Sequence, residues 1–171
     1  MKHNRLLFFA AILISVFAIT ASAQSDKEFL DPAGKFKLTL TGDWRAVSYS
    51  DAVGRQKTEF VYRDRSEGLL KITKETLSTT SLGDLVQQEE ESLRVYRSGY
   101  ERAARETFGG GGLSGMRLSF FTNEGSRQLA STYYFLKDGK SVWVLRFTGK
   151  RGSLDSNRNL TDQIARSFAP M

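Results

Sequence analysis

The stretch from Leu129 to Thr148 constrains the fold more than any other part of the chain. Leu129–Leu136 and Ser141–Thr148 are strand-forming runs, the second rich in Val, Trp, Leu and Phe, and Lys137-Asp138-Gly139-Lys140 separates them. β-branched and aromatic side chains suit a pleated, half-buried surface. An Asp-Gly pair readily takes the positive φ angles of a type I′ turn, whose twist matches the flanking strands. A hairpin is therefore expected, and its surroundings are committed to an antiparallel sheet.

Period-two alternation recurs on both sides of this hairpin. Phe36, Leu38 and Leu40 alternate with Lys37 and Thr39, after the turn residues Asp31-Pro32-Ala33-Gly34. Thr41-Gly42-Asp43 predicts a turn into an extended piece, Trp44 to Tyr49. Ser50–Gln56 reads as a polar loop, Thr58–Arg63 as a strand, Arg63–Gly68 as a charged turn and Leu69–Leu77 as a strand. Tyr100–Phe108 and the alternating Met116, Leu118 and Phe120 add two more, joined by a flexible Gly109–Gly112 connection. Residues 24–30 read as a short leader.

Two segments change to a helical period. Ser81, with Asp84 three residues on, resembles a capping box. Leu82, Leu85, Val86, Leu93 and Tyr96 then mark one face of a helix running to about Ser98, with Gly99 placed to end it. Leu160, Ile164 and Phe168 mark a closing helix that starts near Ser153 or Ser156 and stops at Pro170. Strands, helix, strands, helix in that order predict an α+β fold, an antiparallel β-sheet flanked by helices.

The start of the chain has a different logic. Lys2, His3 and Arg5 precede an apolar run, Leu6–Ile19, broken only by Ser15, and Ala21 and Ala23 then stand in the small-x-small arrangement read by signal peptidase. That run is shorter than the ~20 residues a membrane-spanning helix needs. Residues 1–23 are expected to be a cleavable signal peptide, and 24–171 a single exported domain, periplasmic or secreted. No second composition regime, long linker or internal repeat divides 24–171.

Cleavage also narrows the chemistry. The chain has no cysteine, and its one histidine, His3, leaves with the leader. A mature chain without His or Cys has no Ser-His-Asp or Cys-His nucleophile and none of the usual zinc ligand sets. The leader carries Lys2 and Arg5 but no acid, so the net charge falls from +6 to +4. That balance favours solubility more than a polyanionic partner, and no nucleic acid is expected.

Other patterns carry less. Gly110, Gly112 and Gly115 match G-x-G-x-x-G in spacing, but a strand rather than a helix follows them, so a dinucleotide site is not expected. Asp51, Glu59, Asp64 and Glu67 match no calcium loop; as a glycosidase pair they would need a carboxyl separation that a sequence does not supply. Asn159-Leu160-Thr161 fits a glycosylation acceptor. Trp44, Trp143, Phe60, Phe120, Phe135 and Phe147 read as core, with an aromatic-lined ligand or lipid pocket as the alternative. Arg94, Arg97, Arg102 and Arg105, with Tyr100 among them, form the candidate interaction surface. Catalytic, metal and cofactor residues are not assigned.

The pattern Phe29-x-x-Pro32-x-Gly34-x-Phe36-x-Leu38-x-Leu40-x-x-x-Trp44, followed by Ser81-Leu82 at a helix start and Ser167-Phe168 near the end, resembles the PsbP-like domains. That family shares its fold with a Ran-binding nuclear import factor. The resemblance implies an α/β/α sandwich and a non-catalytic protein that docks on other proteins. Thr41 stands where the family usually has proline, and without histidine in the mature chain the family's metal-linked histidines have no counterpart.

The leader reading has a direct check. Expressed with its own leader in a secretory host, the protein is expected to be released with Gln24 as its first residue, by intact-mass and N-terminal analysis. Recovery in the membrane fraction with residues 1–23 attached would contradict it.

Overall fold

The computed structural model describes residues 26–54, 56–77 and 81–171; the expected signal peptide lies outside them. The main sheet has seven strands: β3 (Trp44–Ser50), β4 (Gln56–Tyr62), β5 (Asp64–Thr76), β6 (Glu101–Gly110), β7 (Leu113–Glu124), β8 (Arg127–Asp138) and β9 (Ser141–Lys150). Their spatial order is β3-β4-β5-β9-β8-β7-β6, antiparallel throughout. After β5 the chain crosses through helix α1 (Leu82–Tyr96) to the far edge, then returns by three hairpins to lie beside β5. A smaller sheet is built from β1 (Lys27–Leu30), β2 (Phe36–Leu40) and β10 (Ala169–Pro170), with β2 in the middle. Helices α2 (Arg151–Ser156) and α3 (Arg158–Ser167) complete the chain. The fold is α+β, as the order of elements predicts.

The central hairpin is buried on both faces. Residues 130–136 of β8 and 142–145 of β9 are all buried. Their alternate side chains feed two cores. Tyr134, Leu136, Trp143, Leu145 and Phe147 face β2, α2 and α3 and join Phe36, Leu38, Trp44, Ile164 and Phe168. Tyr133, Phe135, Val142 and Val144 face α1 and join Val86 and Leu93. One face of the sheet is thus covered by a helix, the other by a mixed layer of small sheet and helices. The six predicted core aromatics are all buried, but the sheet divides them: Phe120 and Phe135 lie under α1, the other four on the opposite face. They do not line one shared cavity.

A polar network ties α3 to the sheet within this packing. Arg117, 8% exposed, donates from Nη1 to both carboxylate oxygens of Asp162, at 2.7 and 2.8 Å, and from Nη2 to Glu106. The Tyr134 hydroxyl donates to Asp162 at 2.6 Å and lies 2.9 Å from the Thr161 hydroxyl. Burial of an arginine is tolerable when its donors find carboxylates in this way.

Several boundaries differ from the sequence reading. Lys27–Leu30 is not a leader but an edge strand paired with β2. The charged turn at Arg63–Gly68 shrinks to Arg63 itself, at φ 56°, and Asp64 already begins β5. Asp64 makes this possible by accepting the Ser66 and Glu67 N–H groups and the Ser66 hydroxyl, which hold its carboxyl below the usual range. The closing helix is broken at Asn157, and α3 ends at Ser167 because Ala169–Pro170 turns to pair with β2. In the β8–β9 hairpin Asp138 pairs with Ser141, so the turn residues are Gly139 and Lys140, with positive φ only on Gly139; that is the type II′ pattern.

The glycine run is also not a loose connection. Gly109 and Gly110 belong to β6, and Gly111-Gly112, both at positive φ, close a two-residue turn. A Cβ at Gly111 would overlap the carbonyl oxygen of Phe168, whereas one at Gly112 would meet open space. Gly112→Ala is expected to cost about 1 kcal/mol, from left-handed backbone strain alone. Gly111→Ala is expected to cost more than about 3 kcal/mol, because strain and backbone overlap combine. Equilibrium urea unfolding of the two variants measures the difference, and equal losses would contradict the close packing.

Candidate interaction surface

The sequence places α1 well. Ser81 Oγ accepts the Asp84 N–H at 3.1 Å and the Ser81 N–H donates to Asp84 Oδ2 at 3.0 Å, a full capping box. The carboxyl of Asp84 is held low by these bonds. The buried stripe of the helix is Val86, Glu90 and Leu93. Tyr96, expected on that stripe, instead stands 82% exposed, and Val95 beside it 73% exposed.

Glu90 explains how the arginines are arranged. It is buried at a position where an apolar residue would be expected, and it accepts Arg94 Nη2 at 3.0 Å from its own helix. From β6, Arg105 Nε lies 2.6 Å from its other oxygen, as an ion pair. Two of the four predicted arginines therefore converge on one carboxylate and clamp the end of α1 to β6. Arg97 pairs with Glu124 at the β7–β8 turn, 3.2 Å away. Arg102 lies in β6. Each arginine with a described side chain keeps half or nearly half of it exposed: 65% for Arg94, 51% for Arg97 and 41% for Arg105. The result is a surface whose charges are partly balanced from below and whose outermost groups are Val95 and Tyr96.

Tyr100 occupies the junction of helix and strand. Its ring stacks on Phe120 at 5.4 Å, and its buried hydroxyl has no hydrogen-bond partner. Burial first, and the Glu90 carboxylate second, push its phenol up to about 12.

The remaining sequence candidates are dispersed among other duties. Glu59 accepts the Tyr49 hydroxyl at 3.0 Å and pairs with Arg65 at 2.7 Å. Asp51 pairs with Lys57, and Glu67 with Lys150 and the Ser153 hydroxyl. Asp64 caps its own strand. Gly110, Gly112 and Gly115 lie in the β6–β7 hairpin and open no helix. Asn159-Leu160-Thr161 lies within α3, with Thr161 buried against Tyr134. Among the described residues no group of three or more acidic, His or Cys side chains could hold a metal, and no helix is long and apolar enough to cross a membrane.

No protein-family model matches the chain, and no curated protein matches it in sequence. Its structure matches solved ones. Cyanobacterial PsbP (CyanoP) from Synechocystis sp. PCC 6803 aligns at a TM-score of 0.59 and 12% identity, over 89% of this chain and 96% of that one. The Ran-binding protein Mog1p of Saccharomyces cerevisiae aligns at 0.58 and 12%, over 85% and 95%. LpqN of Mycobacterium tuberculosis, described as involved in cell envelope biogenesis, aligns at 0.61 and 11%, over 86% and 91%. The chain has the PsbP-like fold, and at these identities the likeness is one of fold.

Tyr100→Phe is expected to stabilise the protein by about 1 kcal/mol, because it removes a buried hydroxyl that lacks a partner. Tyr134→Phe is expected to cost about 1–2 kcal/mol, because Asp162 and Thr161 lose theirs. The phenol of Tyr100 is raised above its unfolded value of ~10, so its contribution is intact below pH 10 and lost as pH rises toward about 12. Denaturant unfolding across that range should show a shallower alkaline decline in Tyr100→Phe than in the wild type.

Proposed function

We propose that this chain is an exported, non-catalytic accessory domain that binds a protein partner in the periplasm or outside the cell. The docking surface is the end of α1 and the strand after it: Arg94, Val95, Tyr96, Arg97, Tyr100, Arg102 and Arg105. The observation that carries this reading is the exposure of Val95 and Tyr96, at 73% and 82%, between Arg94 and Arg97. Tyrosine and arginine are enriched where protein interfaces gain most of their energy. Exposed apolar side chains beside cations on a rigid, capped helix match that chemistry.

Three further points support it. The leader-like segment 1–23 gives an export route. Removing it leaves a chain without histidine or cysteine, which narrows catalysis to carboxylate, hydroxyl and amine chemistry, and Asp51, Glu59, Asp64 and Glu67 are each engaged with a basic or hydroxyl partner. The same fold is found in a protein whose description is Ran-binding and in one involved in cell envelope biogenesis.

The test is quantitative co-purification from the envelope fraction of the native host after mild crosslinking, comparing wild type with Tyr96→Ala and with Tyr96→Ala/Arg97→Glu. Truncation of a central interface tyrosine costs about 2 kcal/mol or more, or roughly 30-fold in affinity. Partners held by the wild type should be lost from both variants. An unchanged partner set with the double variant would displace the docking surface from this part of the molecule.

A further inference from the structure

The sheet face that carries α1 is not covered along its whole length. Beyond the helix, where β5, β8 and β9 meet the start of α2, an open cleft of about 790 Å³ lies between the strand ends. Leu69 and Leu129 form its floor and are half-buried. Leu69 pairs with Thr148, and Leu129 and Thr148 are in phase along their strands with Tyr133 and Val144, so the floor continues the face on which α1 packs. Arg65, Arg127, Lys150 and Arg151 stand around it.

These four cations are not equally occupied. Arg65 is paired with Glu59 and Lys150 with Glu67. The Arg151 guanidinium lies over the Phe121 ring at 4.1 Å, on the sheet face opposite the floor, while Arg127, which stands across the turn from Glu124, makes no ion pair among the described residues. The one acid lining the cleft, Glu124, pairs at 3.2 Å with Arg97, which follows the last residue of α1. A half-buried apolar floor beside the exposed Arg127 guanidinium, on a rim of four cations and one acid, attracts a ligand with both a carboxylate and an apolar side chain. A guanidinium offers a planar fork of donors that suits a carboxylate.

We infer that this cleft receives an acidic peptide segment of the partner, with an aliphatic side chain on Leu69 and Leu129 and a carboxylate on Arg127. The inference rests on the docking reading above and extends it. The Arg97–Glu124 pair joins the end of α1 to the rim of the cleft, so the two regions form one continuous surface. The cleft is open on one side to solvent, so an extended chain can lie along it.

A fluorescein-labelled peptide of alternating glutamate and leucine, followed by fluorescence anisotropy, tests it with the purified full protein. Binding is expected for wild type, to weaken as salt is raised, and to survive in Arg127→Lys. Arg127→Glu, on an exposed side chain with no ion partner to disrupt, is expected to weaken binding roughly tenfold, because an attraction is replaced by a repulsion. Equal binding by wild type and Arg127→Glu would overturn the inference. So would capture by phosphatidylglycerol vesicles without capture of the peptide, since the basic rim would then serve a lipid surface. In either case, partner loss in the Tyr96 variants would leave the docking reading standing.

Discussion

Strands β8 and β9 must be apolar on both sides, and the rest of the architecture follows from that requirement. A sheet with one wet face can alternate polar and apolar residues; a strand covered on both faces cannot. Residues 130–136 and 142–145 meet the stricter condition, so each face needs a cover. On one face α1 supplies it. The other face is too broad for the short helices alone, and β2, with its neighbours β1 and β10, covers what α2 and α3 leave open. The strands furthest from this centre, β3 and β6, are correspondingly more exposed.

What was legible in the sequence is what local chemistry decides. The Ser81–Asp84 box, the strand alternation of Phe36–Leu40 and the hairpin after Leu136 depend on neighbours within a few positions, and each is found in the structure. What was not legible depends on residues far away in the chain. Lys27–Leu30 shows no strand pattern of its own and becomes a strand because Leu38 and Leu40 are beside it. The four-glycine run looks flexible until α3 and Phe168 are placed against it. In the candidate surface the arginines could be listed but not paired. Arg105 meets Glu90 only because β6 runs under the end of α1, and no spacing rule joins positions 90 and 105. Tyr96, which helical periodicity alone places within, stands outside at the last residue of the helix. The basic cleft had no signature at all, since Arg65, Arg127 and Arg151 come from three distant segments.

Two carboxylate clusters, one half-buried and one buried, do comparable mechanical work on opposite faces. Asp162, with Arg117 and Tyr134, fixes α3 to the sheet; Glu90, with Arg94 and Arg105, fixes the end of α1. Apolar packing alone tolerates small rotations of a helix, whereas charge-assisted hydrogen bonds and short ion pairs favour one geometry. The exposed side chains of Val95 and Tyr96 are therefore presented from a helix end held on two sides, which lowers the ordering cost of any contact they make.

The smallest strand of the fold has a consequence in time. β2 lies near the start of the folded region, at Phe36–Leu40, yet one of its two neighbours is Ala169–Pro170, and the Met171 N–H reaches back to the Lys35 carbonyl. A chain made from its N-terminus holds β2 long before β10 exists. Pairing across so long an intervening segment is slow, because the loop must close before the contact gives any return. The second cover of the sheet thus stays incomplete until Ala169–Pro170 have been made and can reach β2.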